Sequence, residues 1–148
     1  MPSTHLSLHY HIVFSTKNRE RIFDEEQCTR LHAYLGGIVR GMNGVAHAVG
    51  GIADHVHVLM GLRATHCLAD VMRELKSDSS KWVREELGLR TFHWQEGYGG
   101  FTFAAPDLER VRHYVLHQPE HHHVKTFQEE YIEMLKRGLV EYDDRYLW

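Results

Sequence analysis

Between Val45 and Leu62 the chain reads as two strands, Val45–Ile52 and His55–Leu62, turning at Ala53-Asp54. The second strand opens Asp54-His55-Val56-His57-Val58-Leu59. Side chains alternate across a strand, so His55 and His57 must leave by one face while Val56 and Val58 enter the other. A sheet with an apolar face and a histidine-bearing face is therefore the constraint any fold of this chain has to meet. Two imidazoles two residues apart can converge on one divalent ion, with Asp54 behind them to orient a ring or cap the turn. Two half-exposed surface histidines would show the same short pattern.

Other elements can be placed around this pair. Leu6 to Phe14 reads as a strand. Asp24 is a good N-cap for a helix running to about Met42, with Cys28, Leu31, Tyr34, Leu35 and Ile38 along one side, and Asn43-Gly44 stops it. A second helix spans about Leu68 to Leu87, burying Leu68, Val71, Met72, Leu75, Trp82 and Val83 and ending at Gly88. Phe92–Gln95 and Phe101–Ala104 flank Gly97-Tyr98-Gly99-Gly100 and read as a hairpin. A third helix begins near Pro106 with Leu108, Val111, Val115 and Leu116 as its stripe, and Pro119 ends it at Gln118. A last helix covers about Phe127 to Arg137. The order β-α-β-β-α-β(β)-α predicts an α+β, ferredoxin-like (RRM-like) antiparallel sheet with helices packed on one face. At 148 residues, without a repeat or low-complexity linker, one domain over residues 1–148 is expected.

On the third helix Tyr114 and Gln118 are four apart and share a face. A tyrosine hydroxyl can attack a phosphodiester, and a glutamine carbonyl can serve as a neutral oxygen ligand. Tyr114 beside Val111 and Val115 also suits an ordinary core tyrosine. Formal charge is −3, yet cations gather at Lys17-Asn18-Arg19 and at Lys76 and Lys81, where phosphates could be held. Two cysteines, Cys28 and Cys67, make no disulfide framework. The chain has no run of the roughly 20 apolar residues that span a bilayer, and no secretory signal in Met1-Pro2-Ser3-Thr4-His5, so no membrane and a cytoplasmic setting are expected.

Five blocks in order carry a resemblance. They are Tyr10-His11-Ile12-Val13-Phe14-Ser15-Thr16-Lys17-Asn18-Arg19, the Asp54–Leu59 run, Leu75-Lys76-Ser77, Trp94–Phe101, and Tyr114-Val115-Leu116-His117-Gln118 with His121-His122. Together they resemble the HUH single-tyrosine transposases of the smallest bacterial insertion sequences, including the REP-associated tyrosine transposases. That resemblance implies a transposase that cleaves and rejoins single-stranded DNA at hairpin-flanked ends through a 5′-phosphotyrosine. It implies Tyr114 as nucleophile and His55, His57 and Gln118 as ligands of Mg²⁺ or Mn²⁺. DNA contacts are expected from the cations themselves, at Lys17, Asn18, Arg19, Lys76 and Lys81, where a solvated charged surface is the alternative. His121 and His122 stand as reserve ligand candidates, although exposed or structural roles are the first expectation for them and for His123. Relatives in insertion sequences are homodimers, and domesticated ones can act as monomers. The alternative reading is a domesticated hairpin- or repeat-DNA-binding protein with little transposition activity.

Overall fold

The computed structural model describes residues 3–122 and 125–148; His123 lies outside them. Strands β1 (His9–Ser15), β2 (Val45–Ile52), β3 (His55–Gly61) and β4 (Gly99–Thr102) form one antiparallel sheet in the order β2-β3-β1-β4. Helix α1 (Glu25–Gly41) joins β1 to β2, and α2 (Leu68–Glu86) joins β3 to β4. This is the ferredoxin-like plan the alternation of elements predicts. Asp24 caps α1 as expected: its carboxylate accepts from the Gln27 backbone N–H, and the Gln27 side chain accepts from Asp24 N–H.

The two faces of the sheet differ in kind. Ile12, Phe14, Val56, Val58 and Met60 pack with Leu31, Leu35, Val71, Met72 and Leu75 of α1 and α2 in the main core. The one-face arrangement holds for those two helices. Three more, α3 (Leu108–Leu116), α4 (Gln118–His121) and α5 (Phe127–Arg137), add a layer on the other face, against His11, Val13, His55, His57 and Leu59.

Two glycines make that second layer possible. On β2, Gly50 lies opposite His57, and a Cβ there would collide with the Val115 carbonyl of α3. On β4, Gly99 lies opposite Val13, and a Cβ would come within 2.6 Å of the Tyr131 ring of α5. Helices thus sit closer to the sheet than side chains would allow.

The segment before β4 departs from the hairpin expected of it. Gly99 and Gly100 are themselves strand residues paired with β1, and Phe92–Gln95 does not pair with them. Instead the backbone N–H of Gln95 donates to Ser15 O at 2.9 Å, and its side-chain Oε1 accepts from Ser15 N–H at 2.6 Å. Lys76 of α2 donates to the carbonyls of Gln95, Glu96 and Gly97. A cation that meets three carbonyls holds the chain extended past the glycines, so local turn chemistry is overridden. Trp94 anchors the same segment, its indole N–H donating to Ser79 Oγ at 2.9 Å within the core.

Gly50→Ala is expected to destabilise the protein by about 1–3 kcal/mol or more, because the collision is with backbone that cannot rotate away. Gly41→Ala, at the end of α1 with no atom within 4 Å of a Cβ, is the control and should be neutral or stabilising. Denaturant unfolding of the two variants decides it; equal stabilities would contradict the close-packing role of Gly50.

Candidate functional site

His55 and His57 are fully buried on the face covered by α3, α4 and α5. Each of the three helices sends a side chain toward them. Tyr114 occupies the last turn of α3, its ring centroid 5.8 Å from that of His57. His117 leaves helical geometry, and Pro119 falls in the first turn of α4, where its missing N–H costs nothing. The break leaves Gln118 fully buried: its amide N–H donates to Tyr114 O at 3.2 Å, which turns Oε1 to within 3.1 Å of His55 Nε2. The third helical side chain is Glu130 of α5, 2% exposed, with Oε1 2.8 Å from His57 Nε2 and 3.7 Å from His55 Nε2.

The hydrogen bonds on the far side of each ring fix what faces inward. His55 Nδ1 donates to Asp54 Oδ1 at 2.7 Å, so in the neutral ring Nε2 carries a bare lone pair. That lone pair points at Gln118 Oε1, acceptor against acceptor. His57 Nδ1 lies 2.7 Å from His11 Nε2, and His57 presents its other nitrogen to Glu130. Burial, helped by neighbouring His57, pulls the His11 imidazole down to about 3 and keeps it neutral. Burial also lowers His57, against the pull of Glu130.

Glu130 is an ionised group inside this site. Burial would raise its carboxyl, but bonding from His122 and His57 outweighs that and holds it far below the usual carboxylate range. The same carboxylate offsets the effect of burial on His122 and raises that imidazole. His122 lies in the site, its Nε2 2.9 Å from Gln118 Oε1 and 3.1 Å from Glu130 Oε2. Glu130 Oε2 is nonetheless a buried oxygen with no aligned hydrogen-bond donor among the described residues. His55, His122 and Glu130 present ligand atoms all within 4.8 Å of one another.

This donor set fits a hard divalent cation. Lone pairs of imidazole, amide oxygen and carboxylate converge, one carboxylate oxygen lacks an aligned donor among the described residues, and a cation would convert acceptor–acceptor opposition into coordination. Tyr114 feels the opposite charge. Burial and the adjacent Glu130 carboxylate push its hydroxyl well above the ordinary phenol range, so on its own it is a weak nucleophile.

Among the residues expected to be functional, His55, His57, Tyr114, Gln118 and the reserve His122 come together. His121 stands at the rim, 3.5 Å from Glu130 Oε2. Lys17, Asn18 and Arg19 form a short turn after β1; Asn18 and Arg19 have positive φ, and the Arg19 guanidinium lies 4.8 Å over the Trp148 ring. Lys76 and Lys81 are remote, on α2 behind the sheet; Lys76 is committed to its three carbonyls, and Lys81 is exposed. Glu130 and His11 were not singled out from sequence. Glu130 does carry a signal: Phe127, Tyr131, Met134 and Leu135 form the stripe of α5, and Glu130 falls inside it.

The family model described as IS200-like transposase matches residues 4–118. The transposases for insertion sequence element IS200 of Salmonella typhimurium (strain LT2) and Salmonella typhi are each 27% identical over 117 residues, covering 75% of this chain and 76% of theirs. Among solved structures, a transposase-like protein from Deinococcus radiodurans R1 superposes with a TM-score of 0.66 at 21% identity, over 78% of this chain and 93% of that one. A REP-associated tyrosine transposase bound to a REP hairpin gives a TM-score of 0.60 at 16% identity, over 82% and 73%. Both share the fold. No helix among the described residues is long and apolar enough to cross a membrane.

Asp54 sets the tautomer of His55, so Asp54→Ala should weaken Mn²⁺ binding by roughly 10–100-fold. Titration of Mn²⁺ into the folded variant tests this; affinity equal to the unsubstituted protein would rule out the orienting role.

Proposed function

The chain belongs to the family of IS200-like transposases, and from that premise we propose that it cleaves and rejoins single-stranded DNA beside hairpins, with Tyr114 as nucleophile. The observation that carries this reading is the meeting of Tyr114 and Gln118 with His55 and His57 in one packed cluster, from elements far apart in sequence.

His55, His57 and Gln118 would hold Mg²⁺ or Mn²⁺, which when bound polarises the scissile phosphate and stabilises charge on its non-bridging oxygens. The chain's own groups do the rest. Asp54 and His11 hold the two rings with Nε2 inward. The covering helices exclude water from the histidines, which strengthens every charge interaction in the site. Tyr114 Oη attacks phosphorus and releases its proton to water as the bond to the 3′ oxygen breaks; that oxygen takes up a proton from water, leaving a 5′-phosphotyrosine and a free 3′-hydroxyl. Attack of a 3′-hydroxyl on that phosphotyrosine reverses the step and needs no external energy source. Burial is the larger cause of the raised Tyr114 hydroxyl, and screening of Glu130 by a cation would remove only the carboxylate's share.

DNA would reach the site by its Tyr114 and His121 rim. Lys17 and Asn18 are exposed in the turn after β1 and can meet phosphates. The REP-associated relative is bound to a hairpin, and we take a hairpin of single-stranded DNA as the substrate here as well.

The test is covalent capture. Incubation with Mn²⁺ and hairpin single-stranded DNAs from the flanks of the gene should give a protein–DNA adduct on denaturing gels. Tyr114→Phe should abolish the adduct, and His55→Ala should do so while leaving hairpin affinity largely intact. Hairpin binding without any adduct would instead favour a DNA-binding role, and an adduct undiminished in Tyr114→Phe would remove Tyr114 as nucleophile.

A further inference from the structure

We infer that Glu130 is itself a ligand of the divalent ion, giving the site an anionic donor beside His55, His57 and Gln118. This rests on the proposed metal role of His55 and His57.

The geometry comes first. Hard cations such as Mg²⁺ hold ligands at about 2.0–2.1 Å in near-octahedral array, which places adjacent donor atoms about 3 Å apart. His55 Nε2 to Gln118 Oε1 is 3.1 Å, and His57 Nε2 to Glu130 Oε1 is 2.8 Å. His55 Nε2 to Glu130 Oε1 is 3.7 Å. Glu130 Oε1 therefore lies beside the inward nitrogens of both histidines, and His55, His122 and Glu130 offer ligand atoms within 4.8 Å of one another. Asp54 cannot take that place, because its carboxylate is taken by the Nδ1 side of His55.

Charge and placement agree. Two imidazoles and an amide are neutral, and oxygen-seeking divalent ions bind through carboxylates where they can. Burying an ionised carboxylate at 2% exposure is costly unless it is paired or coordinates a metal. His57 meets Oε1, while Oε2, with His122 Nε2 3.1 Å away, has no aligned hydrogen-bond donor among the described residues. The position also suits an anion: Glu130 is in the first turn of α5, where the helix N-terminus favours negative charge. Thr126 caps that helix through the Glu129 N–H and so fixes where its first turn points.

Mn²⁺ titrations followed by electron paramagnetic resonance test the inference in the full chain. Losing an outer partner of a ligand typically weakens binding by 10–100-fold, so Glu130→Gln should weaken Mn²⁺ binding by roughly 100-fold or more. His55→Ala in parallel tests the reading beneath. If His55→Ala loses Mn²⁺ and Glu130→Gln binds like the unsubstituted chain, Glu130 is not a ligand and the histidine site stands. If His55→Ala binds Mn²⁺ undiminished, the site reading fails and this inference falls with it. Infrared difference spectra of the unsubstituted chain, labelled with ¹³C-carboxyl glutamate, need no variant to fold. Addition of Mn²⁺ should shift a carboxylate band, and unshifted glutamate bands would overturn the inference.

Discussion

A carboxylate taken out of water must find protons or cations, or it costs several kcal/mol. Glu130 is such a carboxylate, held between α5 and the sheet with His57 on one oxygen and His122 near the other. The layer formed by α3, α4 and α5 is organised around it. α5 delivers the anion, α4 brings Gln118 and His122, and α3 sets Tyr114 against the same charge. A cation among these groups would turn mutual repulsion of lone pairs into cohesion, linking the folding of the second layer to occupancy of the site.

The sheet supplies the other half. Strict alternation on β3 sends Val56 and Val58 into the main core and His55 and His57 the opposite way. A one-residue slip would exchange the two sets, so the core that fixes register also aims the histidines. β1 runs beside β3 with the same alternation. His11 and Val13 fall on the histidine face, where His11 backs His57 and Val13 joins the core of α5. Gly50 and Gly99 keep that face open for helices to approach.

Much of this is legible in the chain, for physical reasons. The strand pair, α1 with its cap and α2 with its apolar stripe follow from periodicity and end signals, and with them the ferredoxin-like order. His55 and His57 are legible because strand alternation puts them on one face. Tyr114 and Gln118 meet the same site although the helix expected to run to Gln118 ends at Leu116 and breaks at His117 between them. The course of residues 94–97 is not, because Lys76 acts on it from about twenty residues away. Glu130 and His11 escape for a similar reason. Each needs its partner on another element, His57 in both cases, and only the wrong polarity within an apolar stripe hints at Glu130.

The central claim is that His55, His57, Gln118 and Glu130 converge on one ion. Anomalous diffraction from crystals grown with Mn²⁺, collected at the manganese edge, tests it most directly. The account predicts one strong peak within roughly 2.0–2.4 Å of His55 Nε2, His57 Nε2, Gln118 Oε1 and a Glu130 oxygen. A manganese peak elsewhere on the protein, with His55 and His57 facing none, would contradict it.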